Sequence, residues 1–128
     1  MPELPEVEVT RLGVSPYLVS HTVTGLVLRR SGLRWPFPEN LMQNLVGQTV
    51  QSTGRRGKYL LVIFEHGTLI IHLGMSGHIR VLPKNTPAQI HDHVDIVLGD
   101  QILRLTDPRR FGAVLWHDLQ DGVIEQHP

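Results

Sequence analysis

The amino end of the chain carries the most chemistry for its length. Pro2 follows the initiator methionine, and a small second residue permits removal of Met1. The processed chain would start with a secondary amine. A free α-amine has a pKa of roughly 8, far below that of lysine, and the positive end of a helix disfavours the ammonium form further. Such an amine can attack the anomeric carbon of a nucleoside and form an iminium, which acidifies the neighbouring proton. Glu3 and Glu6 stand three apart beside it, where a carboxyl can protonate the sugar oxygen or handle the amine's proton. A structural reading stands beside this one: Pro2 and Pro5 start a helix, and the glutamates complement its dipole.

Four further segments hold reactive or ligand-gripping side chains. Arg55-Arg56-Gly57-Lys58-Tyr59 places three cations within four residues, a pattern that can grip phosphate oxygens or form a solvated turn. In His72-Leu73-Gly74-Met75-Ser76-Gly77, flanking glycines put Met75 at the tip of a tight loop, where it can wedge between base pairs or fill a gap in the core. Thr106-Asp107-Pro108-Arg109-Arg110-Phe111-Gly112 reads as a loop whose arginine and aromatic can insert into a duplex, or whose phenylalanine packs back beneath it. His91-Asp92-His93 puts two histidines on one face if it is strand. Two ligands are too few for a zinc site, and a phosphate contact or a hydrogen-bonded loop histidine fits better.

These residues need a scaffold. A helix is predicted from about residue 5 to 16 or slightly beyond, with Gly13 and Pro16 weakening its second half. Short runs rich in Val, Ile and Leu at 23–28, 49–52, 59–64, 69–73, 78–82, 94–98, 102–106 and 113–116 read as strands. Turn-prone residues separate several of them, a short helix is expected over 38–43, and 83–89 reads as a surface loop. The expected fold is mainly β with an N-terminal α-helix: an antiparallel β-sandwich of about eight strands in one domain.

Bulk properties narrow the function classes. The 12 Lys and Arg balance 12 Asp and Glu, so DNA binding must come from where the charges sit rather than from a basic total. There are no cysteines, hence no disulfides and no thiolate metal site in this segment. No apolar run approaches the roughly 20 residues a membrane span needs, and no signal pattern opens the chain. A soluble cytoplasmic protein is expected.

Taken together, Met-Pro-Glu-Leu-Pro-Glu-Val-Glu at the start, Arg-Arg-Gly-Lys-Tyr-Leu at 55–60, His-Leu-Gly-Met-Ser-Gly at 72–77, His-Asp-His-Val-Asp at 91–95 and Asp-Pro-Arg-Arg-Phe-Gly at 107–112 resemble formamidopyrimidine-DNA glycosylase. Arg34-Trp35-Pro36 fits as well. That bacterial family removes 8-oxoguanine and ring-opened purines. Leu4-Pro5, Met75 and Arg109-Arg110-Phe111 favour it over the related endonuclease VIII branch. The resemblance implies Pro2 as Schiff-base nucleophile, Glu3 as proton donor, Glu6 in support, and Lys58 in β-elimination and contacts near the lesion. It implies that His72, His91 and Arg110 hold DNA phosphates. Met75, Arg109 and Phe111 would fill the gap left by the extruded nucleotide, with Arg109 addressing the estranged cytosine.

Extrusion is expected physically, because the anomeric carbon is inaccessible inside the base stack. The implied partner is double-stranded DNA with oxidised purines or abasic sites, bound by a monomer at the bacterial nucleoid. Family members are about twice this length and continue into a helix–two-turn–helix domain and a zinc finger. The expectation is therefore an N-terminal catalytic domain that needs no cofactor of its own and is weak or inactive alone, zinc belonging to the absent finger. Two rivals stand beside this reading. One is a non-enzymatic β-sandwich that binds DNA or protein. The other is an amino-terminal-proline tautomerase, whose chains run from proline straight into a strand.

Overall fold

The computed structural model describes residues 4–119 of the 128. Pro2 and Glu3 lie outside the described residues. The order of elements is α1 (Leu4–Leu18), β1 (Gly25–Leu28), α2 (Leu41–Leu45), β2 (Ser52–Arg56), β3 (Tyr59–Ile63), β4 (Gly67–His72), β5 (His78–Pro83), β6 (Asp92–Leu98), β7 (Gln101–Thr106) and β8 (Ala113–Asp118).

The strands form two antiparallel four-stranded sheets, ordered β1-β6-β7-β5 and β2-β3-β4-β8. This is the expected eight-stranded sandwich behind an N-terminal helix. Alternation sorts the side chains: Leu60, Val62, Leu69 and Ile71 of one sheet meet Val94, Ile96, Leu103 and Leu105 of the other in the central core. Burying each such side chain stabilises the fold by about 1.5–3 kcal/mol.

The helices close the sides of the sandwich. α1 packs against β2 and β5, an outer strand of each sheet, while α2 packs against the outer strand β1. Covering sheet edges in this way removes templates for unwanted pairing. Val7, Val14 and Leu18 form the buried stripe of α1, and Leu41 and Leu45, one turn apart, form that of α2. That stripe carries α1 through Gly13 and Pro16 to Leu18, slightly beyond Pro16 as expected.

Two expectations shift. The strand predicted at 49–52 runs instead from Ser52 to Arg56. Val50 is buried, donates its N–H to His21 and accepts from Ser20, so this stretch crosses to the segment after α1 before joining a sheet. The short helix also lies at Leu41–Leu45 rather than 38–43, because Leu41 and Leu45 are the positions that reach the core.

Candidate functional site

Strand register brings the candidate loops together. Tyr59, His72 and Ala113 lie side by side across β3, β4 and β8. Asp92, Thr106 and His78 do the same across β6, β7 and β5. The Gly57-Lys58 turn, the 73–77 loop, the residues leading into β6 and the 107–112 loop therefore all rise from one end of the sandwich.

α1 points toward this end. Ser15 and Arg11 bond to Thr53, whereas Glu8 sits against Arg55, 3.6 Å away and nearer the β2–β3 turn. The helix's N-terminal end is thus directed toward Lys58. Glu6, in the first turn, is exposed. Arg55 and Arg56 belong to β2 and not to the turn itself, which Gly57 makes with a φ of +57°. Lys58 is exposed beyond it.

Two loops form the apolar tip. Met75 is 67% and Phe111 49% exposed, so neither fills the core. A Cβ on Gly74 would come within 2.8 Å of the Phe111 Cβ, and one on Gly112 within 2.5 Å of the His72 carbonyl. Only glycine permits the loops to touch so closely. Arg109 reaches across to the Met75 sulfur at 4.0 Å. Arg34 donates its backbone N–H to Gly112, its guanidinium lies 5.7 Å from the Trp35 ring centroid, and it lines an open pocket with Leu33, Arg109, Arg110 and Phe111.

Beneath the tip lies Asp107, fully buried. One carboxylate oxygen accepts the Arg110 N–H at 3.0 Å and the Ser76 hydroxyl at 3.4 Å; the other accepts the Gly112 N–H at 2.9 Å. Its own N–H goes to the His91 carbonyl, and its carbonyl accepts from His93 Nε2 at 2.9 Å. Arg110 is held at φ +57°, a left-handed conformation that costs a non-glycine residue about 1–2 kcal/mol.

The three histidines divide. His91 is exposed, whereas His93 is buried at a register shift between Asp92 and Val94, and their rings meet edge to face with centroids 6.4 Å apart. Strand β6 begins only at Asp92, leaving His91 in the loop. His72 is buried against Tyr59, with ring centroids 5.2 Å apart. Burial lowers its pKa, and the charges of Arg34 and Lys58 lower it further, which favours a neutral imidazole that can still donate one N–H. Burial lowers the His93 pKa as well, against the opposing pull of its bond to Asp107.

Charge is polarised along the sandwich although its total is zero. The loop end carries Arg34, Arg56, Lys58, Arg109 and Arg110, all exposed. Of the acids at that end, Asp92 and Asp107 are buried and accept internal hydrogen bonds, Glu8 pairs with Arg11 and Arg55, and Glu6 is exposed in the first turn of α1. Glu65, Asp100 and Asp118 sit at the turns and strand ends opposite. Among the described residues, no group of three or more His, Cys, Asp or Glu is placed to hold a metal ion. No described helix is long and apolar enough to cross a membrane.

Sequence reasoning gave no role of their own to Asp107 or Arg34, and for His93 it offered a phosphate contact or a hydrogen-bonded histidine, of which the bond to the Asp107 carbonyl is the second. Asp107 had a usable signal: an aspartate ahead of a loop commonly accepts N–H groups a few residues on, as it does here from Arg110 and Gly112.

Fold and loop end together define an antiparallel β-sandwich domain with a cationic, apolar-tipped face. The model of the formamidopyrimidine-DNA glycosylase N-terminal domain matches residues 1–114. The chain belongs to that family. It is 68% identical over 127 residues to the formamidopyrimidine-DNA glycosylase of Herminiimonas arsenicoxydans, covering 99% of this chain and 46% of that protein. It is 57% identical over 129 residues to that of Shewanella denitrificans, covering 100% and 46%. The chain thus spans about half the length of these relatives. Among solved structures, Lactococcus lactis Fpg in complex with DNA containing an abasic site superposes with a TM-score of 0.86 at 30% identity, over 93% of this chain and 45% of that one. The same enzyme in complex with DNA containing FAPY-dG gives 0.85 at 31%, over 92% and 45%.

Proposed function

We propose that this chain supplies the nucleophile-bearing half of a base-excision DNA glycosylase and AP lyase acting on oxidised purines such as 8-oxoguanine and formamidopyrimidines. The observation that carries the reading is the convergence of Lys58, His72, Met75, Arg109, Arg110 and Phe111 on one end of the sandwich, the end toward which α1 directs its N-terminus.

The duplex approaches that cationic end. His72, His91 and Arg110 take phosphate oxygens. Met75 and Phe111 enter the stack as the damaged nucleotide leaves it, and Arg109 meets the orphaned cytosine. The Pro2 amine attacks C1′, the glycosidic C–N bond breaks, and the base departs with a proton. Glu3, with Glu6 in support, opens the sugar by protonating its ring oxygen. The resulting iminium loses its C2′ proton, and the 3′ phosphate leaves by β-elimination, with Lys58 assisting.

The enzyme is read as a monomer working at the bacterial nucleoid. Zinc, on this reading, belongs to the part of the relatives that this chain does not span. The tautomerase reading has no support in the fold, since helix α1 and not a strand follows the amino end.

The span of 46% of the relatives favours one alternative, a DNA-binding sandwich that is catalytically idle alone. Borohydride trapping on abasic DNA tests both. Trapping is expected only after Met1 removal and is expected to vanish in Pro2→Gly. Undiminished trapping by Pro2→Gly means that the secondary amine of proline is not required for the covalent step. Single-turnover assays with and without a separately supplied second half decide whether the isolated chain reacts; no base release under either condition favours the idle sandwich.

A further inference from the structure

Met75 and Phe111 sit on different loops, 73–77 and 107–112, that leave different strands. Each loop could move alone, and two separately mobile apolar tips would have to be ordered separately on meeting a duplex. Asp107 lies beneath both. Its carboxylate holds Ser76 of the first loop and the N–H groups of Arg110 and Gly112 in the second, and its backbone ties both to His91 and His93. The surfaces that meet above it are glycines: Gly74 lies against Phe111, Gly112 against His72, and a Cβ on Gly77 would lie 3.5 Å from the Asp107 carboxyl carbon.

We propose that Asp107 is a positioning residue that joins these loops into one rigid wedge, so that Met75, Arg109 and Phe111 enter DNA as a unit. This rests on the DNA-facing reading of the site. The left-handed backbone of Arg110 is part of the device. It turns the Arg109 and Phe111 side chains outward, and the carboxylate holds it by accepting the Arg110 N–H. A carboxylate suits the position because its two oxygens accept from two N–H donors at once. The substitution Asp107→Asn keeps the shape but turns an NH2 toward one of those donors.

Two measurements test the device in the chain carrying Asp107→Asn. The first is amide hydrogen exchange without DNA. The amides of the 109–112 loop are expected to exchange faster, the one that faces the new NH2 by about tenfold, the change that one lost hydrogen bond corresponds to. The Gly77 amide in the other loop should accelerate with them, while the amides of β3 and β4 stay protected. Acceleration confined to 109–112 overturns the proposal.

The second is fluorescence of 2-aminopurine placed beside an abasic analogue in duplex DNA, at saturating protein. Met75→Ala and Phe111→Ala should act non-additively in the wild-type background, as parts of one unit do, and additively with Asp107→Asn. A residue that only stabilised the fold would not alter that coupling. Coupling that survives Asp107→Asn overturns the proposal. If neither alanine variant changes the signal in the wild-type background, the DNA-facing reading itself fails and takes the wedge with it, while the exchange data still report whether the loops are joined. Should Asp107→Asn not fold, Ser76→Ala removes the single hydroxyl link and is expected to weaken both the coupling and the Gly77 protection; no change in either counts against the proposal.

Discussion

Two buried carboxylate systems hold this sandwich together, and they work by opposite means. On the β1-β6-β7-β5 sheet, Arg104 is only 2% exposed. It makes two bonds to Asp95, at 2.9 and 3.0 Å, and donates to the Thr86 and Pro87 carbonyls. It lies 3.8 Å from Asp92. Arg29 adds a further bond to Asp95, and Arg80 approaches Asp92. Here charge answers charge. Asp107 instead accepts from backbone N–H groups and a hydroxyl, so the arginines on its loop, Arg109 and Arg110, stay exposed. Where cations are wanted outside, dipoles do the internal holding; where none is needed, arginines are drawn inside.

The largest expected effect breaks the first system. Arg104→Met leaves Asp92 and Asp95 buried without their main cation, which is expected to destabilise the chain by about 3–5 kcal/mol in chemical denaturation. Asp107→Asn should cost less, about 1–3 kcal/mol, because one N–H loses its acceptor but no charge is stranded. The contrast between the two systems fails if Asp107→Asn proves the more destabilising.

Acid gives the next largest effect. Burial alone would raise the Asp95 carboxyl, but hydrogen bonds from Arg104 and Arg29 outweigh it and hold it below its ordinary 3.8. Asp92 is held low in the same way: burial opposes, while Thr106, the Gln89 N–H and Arg104 prevail. Groups with depressed folded values contribute stability that is fully present above about pH 4 and is lost as the pH falls through the folded value. The urea midpoint is therefore expected to drop below about pH 4. In Arg104→Met the lowering is weakened rather than removed, because Arg29 still bonds Asp95 while Thr106 and the Gln89 N–H still bond Asp92, so acidification should cost that variant less stability than it costs wild type. Parallel pH profiles for the two proteins would show that Arg104 does not set those carboxyls.

Much of this was legible in the chain, and the gaps have physical causes. Short runs rich in Val, Ile and Leu located seven of the eight strands closely, because strands such as β3, β4, β6 and β7 are buried at nearly every position. β2 escaped, since Ser52-Thr53-Gly54-Arg55-Arg56 has no apolar side chain and its pairing is dictated by β3 beside it. The gathering of the loop residues at one end comes from register and connection, which no local pattern announces. Met75 and Phe111 each had a core reading, and only exposure separates that from a tip. Asp107 looked like punctuation before Pro108, because its hydrogen-bonding partners lie on a neighbouring loop as well as its own.

The smallest effect contrasts the two kinds of arginine on DNA. Each phosphate neutralised contributes about 0.9 to the slope of log K against log salt. Arg110→Ala should lower that slope by about this much, since its side chain is exposed beside the tip. Arg80→Ala removes the same formal charge from a residue already engaged with Asp92 and Thr106, and should leave the slope unchanged. Met75→Ala, without charge and exposed, should weaken binding at every salt concentration with no change of slope, and shift stability by no more than about 0.5 kcal/mol. Fluorescence anisotropy titrations of an abasic duplex at several salt concentrations give all three slopes. An equal loss of slope in Arg80→Ala and Arg110→Ala would mean that an arginine engaged by a buried carboxylate also reaches phosphate, and the division between carboxylate-bound cations and those of the loop tip would not hold.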